Sequence, residues 1–211
     1  MTDVLPDRPR KLADDRLEAP SVQRNRDAIL ETLAPLLDGE AKVLEIASGT
    51  GEHAVFLGSR LPRVEWQPSD PEPERRRSIR AWIAHTNVVN VRPPLCLHTQ
   101  RDPWPPGPFD GIVCINMLHI SPWPSCRSLM EGGRRVLKPT GFLYIYGPFK
   151  REGRHTSSSN ASFDRWLRKH DSAWGVRDVE AIQREADRVG LKRKAIIEMP
   201  ADNLSLIFEM G

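Results

Sequence analysis

The chain has 211 residues, 39% of them hydrophobic and 28% charged, which suits one well-buried domain and would cramp two. Its net charge of +3 is small and its arginines are scattered, which argues against a nucleic-acid groove built on a concentrated basic footprint. No apolar run approaches the ~18 residues that span a bilayer, and Met1 to Arg8 show no apolar signal core, so the expected setting is cytoplasmic, with no membrane partner. Cys96, Cys114 and Cys126 are odd in number and lack paired ligand spacing, so a reduced compartment and no metal site are expected.

Residues 1–20 are charged and proline-punctuated and read as an N-terminal arm or flap, leaving 21–211 as a single domain. Ser21 is placed to cap a helix whose Val22, Ile29, Leu30, Leu33 and Leu37 follow helical spacing, bent by Pro35 and ended at Asp38-Gly39. Residues 42–47 then form a short buried strand, followed by a glycine loop and a helix over 52–60. The pattern repeats with a strand at 64–68, ending near Asp70, and a helix at 73–83 buried through Ile79, Trp82 and Ile83. A third strand is expected at 91–97, in spite of Pro93-Pro94. A fourth at 109–117 is nearly all apolar, as a strand covered on both faces should be.

A helix over 125–137 and a turn at 138–141 lead to a fifth strand, 142–146, and then to a polar, serine-rich loop over 147–160. Two more helices are marked by Phe163, Trp166, Leu167 and His170, and by Val179, Ile182, Ala186 and Val189 before Gly190. Strands at 194–199 and 204–208 close the chain as a hairpin. The expected fold is α/β and Rossmann-like: a mostly parallel seven-stranded sheet with an antiparallel C-terminal hairpin strand and helices on both faces.

Glu45-Ile46-Ala47-Ser48-Gly49-Thr50-Gly51 stands between a buried strand and a helix, where open α/β sheets bind ligands and glycine lets the backbone approach them. Gly49-Thr50-Gly51-Glu52-His53-Ala54 also satisfies the dinucleotide pattern, with Asp70 at a plausible ribose distance. Two features favour S-adenosylmethionine over NAD(P) or a purely structural turn. Glu45, four residues before Gly49, disfavours a pyrophosphate and suits an ammonium group. The C-terminal hairpin differs from the second half of a dinucleotide fold.

Glu45 to His53 together with Asp70 resemble the cofactor motifs of class I S-adenosylmethionine-dependent methyltransferases. More narrowly, the chain resembles the methyltransferase-like 26 family, mostly uncharacterised. The likeness rests on Arg24-Asn25-Arg26, Trp66-Gln67-Pro68-Ser69-Asp70, Ile115-Asn116-Met117-Leu118-His119-Ile120-Ser121-Pro122-Trp123 and Tyr146-Gly147-Pro148-Phe149. It continues through Ser159-Asn160-Ala161-Ser162-Phe163-Asp164, Trp174-Gly175-Val176-Arg177-Asp178 and Met199-Pro200-Ala201-Asp202-Asn203-Leu204. The resemblance implies the methyltransferase form of the Rossmann-like fold and S-adenosyl-L-methionine as cofactor. It also shows a departure: Leu97-His98-Thr99-Gln100 stands where such proteins carry Leu-Asp beside the adenine, so His98, Gln100 or the nearby Asp102 takes that place.

Cofactor roles therefore fall to Glu45, Ser48, Gly49, Gly51, Asp70, His98, Gln100, Asn116 and Arg26, with Arg24 beside it. Asp70 is suited to accept from both ribose hydroxyls; its bland alternative is a cap for the next helix. His119, Asn116 and Tyr146 are the catalytic candidates, His119 as general base because an imidazole titrates near neutrality, or else as a bonded core histidine. Asn160, Trp174 and Asn203 are expected to shape a substrate pocket. The leading expectation is methyl transfer to a small molecule. The alternatives are intramolecular cyclisation of the cofactor with release of methylthioadenosine, a non-catalytic cofactor-binding protein and, more distantly, an NAD(P) enzyme.

Overall fold

Alternating apolar strands and amphipathic helices recur in a computed structural model, which describes residues 9–211. The chain divides into two units, one ending at His98 and the other beginning at Thr99.

In the first unit, β1 (Arg10–Lys11) and β2 (Leu17–Glu18) pair antiparallel, and α1 (Pro20–Leu33) follows. The two strands form a strap within the stretch expected as an arm, whose first eight residues lie outside the described ones. The strap is anchored: the Leu17 amide donates to Ser78 Oγ at 2.8 Å, the Trp82 indole donates to the Leu17 carbonyl at 2.8 Å, and the Ala19 amide donates to Glu52 Oε2 at 2.7 Å. Ser21 does not cap α1. Ala19 is the N-cap, and Pro20 opens the helix, where its missing N–H costs nothing. Pro35 lies in a separate 3-10 turn, Ala34–Leu36.

Next come β3 (Ala41–Ile46), α2 (Glu52–Arg60), β4 (Val64–Pro68) and α3 (Pro73–Thr86). β3 and β4 run parallel, in register from Ala41 opposite Val64 to Glu45 opposite Pro68. Val43, Leu44, Ile46, Leu57, Trp66 and Ile79 are buried between strands and helices, each removal from water contributing about 1.5–3 kcal/mol for the larger side chains. Trp82 and Ile83, expected in the core, are only half-buried, because Trp82 faces the strap. The third expected strand shrinks to isolated parallel bridges, Trp66 with Val91 and Ser69 with Leu95. Pro93 and Pro94, which have no N–H to donate, stand between them.

The second unit contains β5 (Phe109–Ile115), α4 (Pro124–Val136), β6 (Leu137–Arg151), β7 (Arg154–His155), α5 (Ser158–His170), β8 (Arg177–Asp178), α6 (Val179–Arg188), β9 (Leu191–Met199) and β10 (Asn203–Met210). β5 and β6 are parallel, while β10 runs antiparallel to both β6 and β9, so the hairpin expected from the C-terminal sequence is present. The turn expected at 138–141 is absorbed as an irregularity: Phe109 pairs Leu137, yet Gly111 already pairs Phe142. β6 also runs on into the segment expected as a loop and folds back through Glu152 and Gly153, both at positive φ, to pair with β7. Ser157 caps α5 by accepting from the Asn160 amide, and Asp178 caps α6 by accepting from the Ala181 amide, both at 3.2 Å.

Candidate functional site

The glycine loop leaves the tip of β3 through three left-handed residues, Ala47 (φ 54°), Gly49 (φ 58°) and Gly51 (φ 92°). Serines join it to the tip of β4. The Ser48 amide donates to the Ser69 carbonyl at 2.8 Å, the Ser69 amide returns to Ser48 Oγ at 3.1 Å, and Ser69 Oγ donates to the Glu45 carbonyl at 2.7 Å. Ser48, a cofactor candidate, thus has its hydroxyl engaged in holding the loop.

Asp70 is 5% exposed, and each of its oxygens accepts a backbone N–H: Oδ2 from Gly49 at 3.0 Å and Oδ1 from Glu72 at 2.9 Å. Burial pushes its pKa up, and the two amides oppose that shift. It is not the N-cap of α3, since Glu72 occupies that position. A carboxylate has about four lone-pair sites, so acceptor capacity remains after two amides.

The two glycines differ. A side chain at Gly49 would meet nothing within 4 Å, whereas one at Gly51 would sit 2.7 Å from the Ile79 backbone. Gly51 is accounted for by the close approach of α3, and Gly49 alone leaves open space beside the loop. Thr50 is fixed at both ends, its carbonyl accepting from Ser78 Oγ at 2.6 Å and its hydroxyl donating to Glu52 Oε2 at 3.0 Å.

Glu45 is 1% exposed, accepts from the Trp66 indole at 3.0 Å, and is pushed up to about 7 by burial. Burial thus favours its protonated form, against the negative charge expected at the strand tip. In α1, Arg24 is exposed, and Arg26 lies over the Phe56 ring, 4.6 Å from its centroid. Their buried neighbour Asn25 pairs with His53 Nε2 at 2.8 Å, and burial drives His53 down to about 4. Sequence reasoning assigned no role to Asn25, although it lay in a quoted motif. His98 is half-buried at the end of the first unit. Gln100, in the second unit, donates to Ser125 Oγ at 2.7 Å, and Asp102 is half-buried.

In the second unit, Asn116 follows β5 at φ 60°, a conformation asparagine tolerates, and its amide donates to the Tyr146 carbonyl at 2.9 Å. His119 sits on a 3-10 turn, Leu118–Ile120, 7% exposed, with its ring edge-on to Phe163 at 5.4 Å between centroids. Burial, and then the Arg177 charge, drive it down to about 3. The expectation of His119 as a general base rested on an imidazole titrating near neutrality, and burial opposes that. Neither the Asn116 side chain nor the His119 ring makes a hydrogen bond among the described residues. Both approach Gly147, where a side-chain carbon would lie 3.4 Å from His119 Nδ1 and 3.5 Å from Asn116 Oδ1. The Tyr146 side chain is buried in the core.

Arg177 is a second residue to which the sequence assigned no role. Its guanidinium donates to the carbonyls of Leu118 (3.0 Å), Ser121 (2.5 Å) and Ala173 (2.6 Å), while the Gly175 amide donates to the His119 carbonyl at 3.0 Å. The two sequence motifs around His119 and Trp174 are thereby one construction. Trp174 itself is half-buried. Asn160 donates to Thr156 Oγ1 at 2.9 Å and to the Asp202 carbonyl at 3.0 Å, and Asn203 donates to the Pro200 carbonyl at 3.1 Å. Both amides are thus occupied in bracing the 200–202 turn. A surface hollow of about 230 Å³ in the first unit, lined by Leu37, Arg60, Leu61 and Val64, lies at the start of β4, at the other end of that strand from Asp70.

The model of the family described as "Protein of unknown function (DUF938)" matches residues 16–210. Among solved structures, an O-methyltransferase family 2 protein from Planctomyces limnophilus, in complex with apigenin, is 19% identical with a TM-score of 0.78, over 90% of this chain and 58% of that one. The S-adenosylmethionine-dependent methyltransferase SibL is 16% identical with a TM-score of 0.74, over 90% and 55%. A SAM-dependent methyltransferase from Aquifex aeolicus is 17% identical with a TM-score of 0.68, over 90% and 92%. The fold is accordingly the Rossmann-like methyltransferase fold, with antiparallel C-terminal strands. This chain spans little more than half the length of the first two of these proteins. Among the described residues, no helix is long and apolar enough to cross a membrane.

Proposed function

The chain belongs to the DUF938 family, and we propose that it is an S-adenosylmethionine-dependent methyltransferase acting on a small molecule. Its motifs also suit the methyltransferase-like 26 family. The family match runs through both units, which supports reading residues 21–211 as one functional domain. Cys96, Cys114 and Cys126 form no disulfide among the described residues, which suits a reducing cytoplasm.

The observation that carries this reading is the hydrogen bond from the Gly49 amide to Asp70 Oδ2, which joins two cofactor-type motifs 21 residues apart. Asp70 retains lone pairs for ribose hydroxyls, and Gly49 offers a bare Cα beside open space. Glu45, Ser48, Gly49 and Asp70 would hold the cofactor. Arg26, His98, Gln100 and Asn116 are further candidates, and Gly51 would contribute through packing alone. When bound, S-adenosylmethionine supplies an electrophilic methyl group on a sulfonium. The protein's work is then to position the nucleophile and exclude water. Asn116 and His119 are suited to orienting that nucleophile, with His119 as a neutral hydrogen-bond partner. Full-length protein is expected to bind S-adenosylhomocysteine in a calorimetric titration, and Asp70→Ala to weaken binding by about 1–3 kcal/mol, roughly tenfold to a hundredfold. Absence of any heat or thermal shift with wild-type protein would sink the reading; unchanged affinity in Asp70→Ala would remove Asp70 from the site.

A further inference from the structure

Resting on the reading that the chain binds S-adenosylmethionine, we propose that Glu52 and Arg26 receive the amino-acid end of that cofactor, Glu52 its ammonium and Arg26 its carboxylate. Glu52 follows Gly51 directly and opens α2. It is 4% exposed, and its two oxygens differ in what they meet. Oε2 accepts from the Ala19 amide at 2.7 Å and from the Thr50 hydroxyl at 3.0 Å. Oε1 is buried and has no hydrogen-bond partner among the described residues. Arg26 approaches the same stretch of α2 from α1. Its guanidinium lies over the ring of Phe56, one turn beyond Glu52, and its Nε is likewise buried without a partner among the described residues.

An unmet acceptor and an unmet donor of opposite charge therefore stand at the start of one helix. Buried polar groups in folded proteins are rarely left unpaired, so two such atoms beside a binding loop call for a partner. That partner must donate to a carboxylate and accept from a guanidinium. A zwitterion does both, and the α-amino acid end of S-adenosylmethionine carries its two charges on one carbon. Burial pushes the Glu52 carboxyl up, and of the nearby charges Glu18 adds to the rise while Arg26 opposes it. An ammonium seated on Oε1 acts in the same sense as Arg26. The placement also suits the cofactor: Asp70, suited to the ribose, accepts from the Gly49 amide, and Glu52 holds the next residue, Thr50. Glu45, which the sequence offered for the ammonium, is 1% exposed and accepts from the Trp66 indole instead.

The test reads binding and needs no turnover. Wild type, Glu52→Gln and Arg26→Met are titrated calorimetrically with S-adenosylhomocysteine, with its deaminated analogue, which keeps the carboxylate, and with its decarboxylated analogue, which keeps the amine. Glu52→Gln preserves the shape of the side chain, and its amide oxygen can still accept from Ala19 and Thr50, but an N–H group replaces the unmet oxygen. Arg26→Met keeps an apolar stem over Phe56. Glu52→Gln is expected to bind S-adenosylhomocysteine at least about tenfold more weakly than wild type, with affinity for the deaminated analogue unchanged. Arg26→Met is expected to show the converse, a similar loss for S-adenosylhomocysteine and none for the decarboxylated analogue. A folded variant that loses all three ligands alike, or none, overturns the proposal. Should Glu52→Gln melt early, the Arg26→Met pattern decides. Wild type that binds S-adenosylhomocysteine no better than its deaminated analogue overturns the proposal and leaves the cofactor reading intact; wild type that binds none of the three overturns that reading itself.

Discussion

The glycine loop and the His119 turn are both held by backbone hydrogen bonds, but they treat their polar side chains in opposite ways. At the loop, Ser48, Thr50, Asp70 and Glu45 each have a partner within the fold. At the turn, Asn116 and His119 have none among the described residues, while Arg177 and Gly175 grip only the carbonyls around them. The loop is complete as built and presents a shape with spare lone pairs. The turn is held through its backbone and leaves its two polar side chains without a hydrogen bond within the fold.

This contrast can be broken at the loop by its two glycines. Gly51→Ala forces a carbon to 2.7 Å from the Ile79 backbone at φ 92°, and is expected to cost about 3–4 kcal/mol by urea denaturation. A variant of near wild-type stability would mean that α3 is not packed on the loop as described.

The pH dependence of stability sharpens the comparison, because Glu45 and His119 titrate in opposite senses. Glu45 is raised from its ordinary 4.5 to about 7, so the folded chain holds that proton more tightly than the unfolded one. Its contribution is complete below 4.5 and is lost as pH rises to about 7. His53 and His119 are lowered from 6.5 to about 4 and about 3, so their contribution is complete above 6.5 and is lost as pH falls toward those values. Glu45→Gln removes only the first effect. Relative to wild type it should gain on the order of 3 kcal/mol between pH 4.5 and pH 8.5, while the histidine effects cancel in the difference. An equal stability gap at both pH values would show that Glu45 titrates alike in the folded and unfolded chains.

The smallest effect on folding is expected at Gly49. Its added methyl meets no atom, and only the positive φ costs, about 1–2 kcal/mol. Cofactor affinity should nonetheless fall, and Gly49→Ala with wild-type S-adenosylhomocysteine binding would return this glycine to a purely structural role.

Much of this architecture was legible in the sequence because it rests on local pattern. The buried strand before the loop, the helix after it and the C-terminal hairpin all follow from apolar spacing and turn residues. Motif spacing marked Asp70 as a cofactor candidate, but not its hydrogen bond from the Gly49 amide. What was hidden depends on distant or backbone partners. Gly49 and Gly51 satisfy one pattern equally, and only the approach of Ile79 tells them apart. Arg177 leaves no trace in composition because it binds carbonyls, which every residue has. The shift of His119 comes from burial, which a residue's own neighbours in sequence do not report. β6 extends past its apolar run because the polar segment beyond it finds β7 and β8 to pair with.

The Ser78 hydroxyl, which accepts from the Leu17 amide and donates to the Thr50 carbonyl, gives the front of the chain a share in the loop. Cutting the polypeptide between Leu17 and Ala19 would strip a donor from Ser78 and another from Glu52, both of which also hold Thr50. Amide hydrogens at Leu17 and Ala19 should therefore exchange with solvent in step with openings of the glycine loop. They offer an isotopic gauge of the loop's order, read far from it along the sequence.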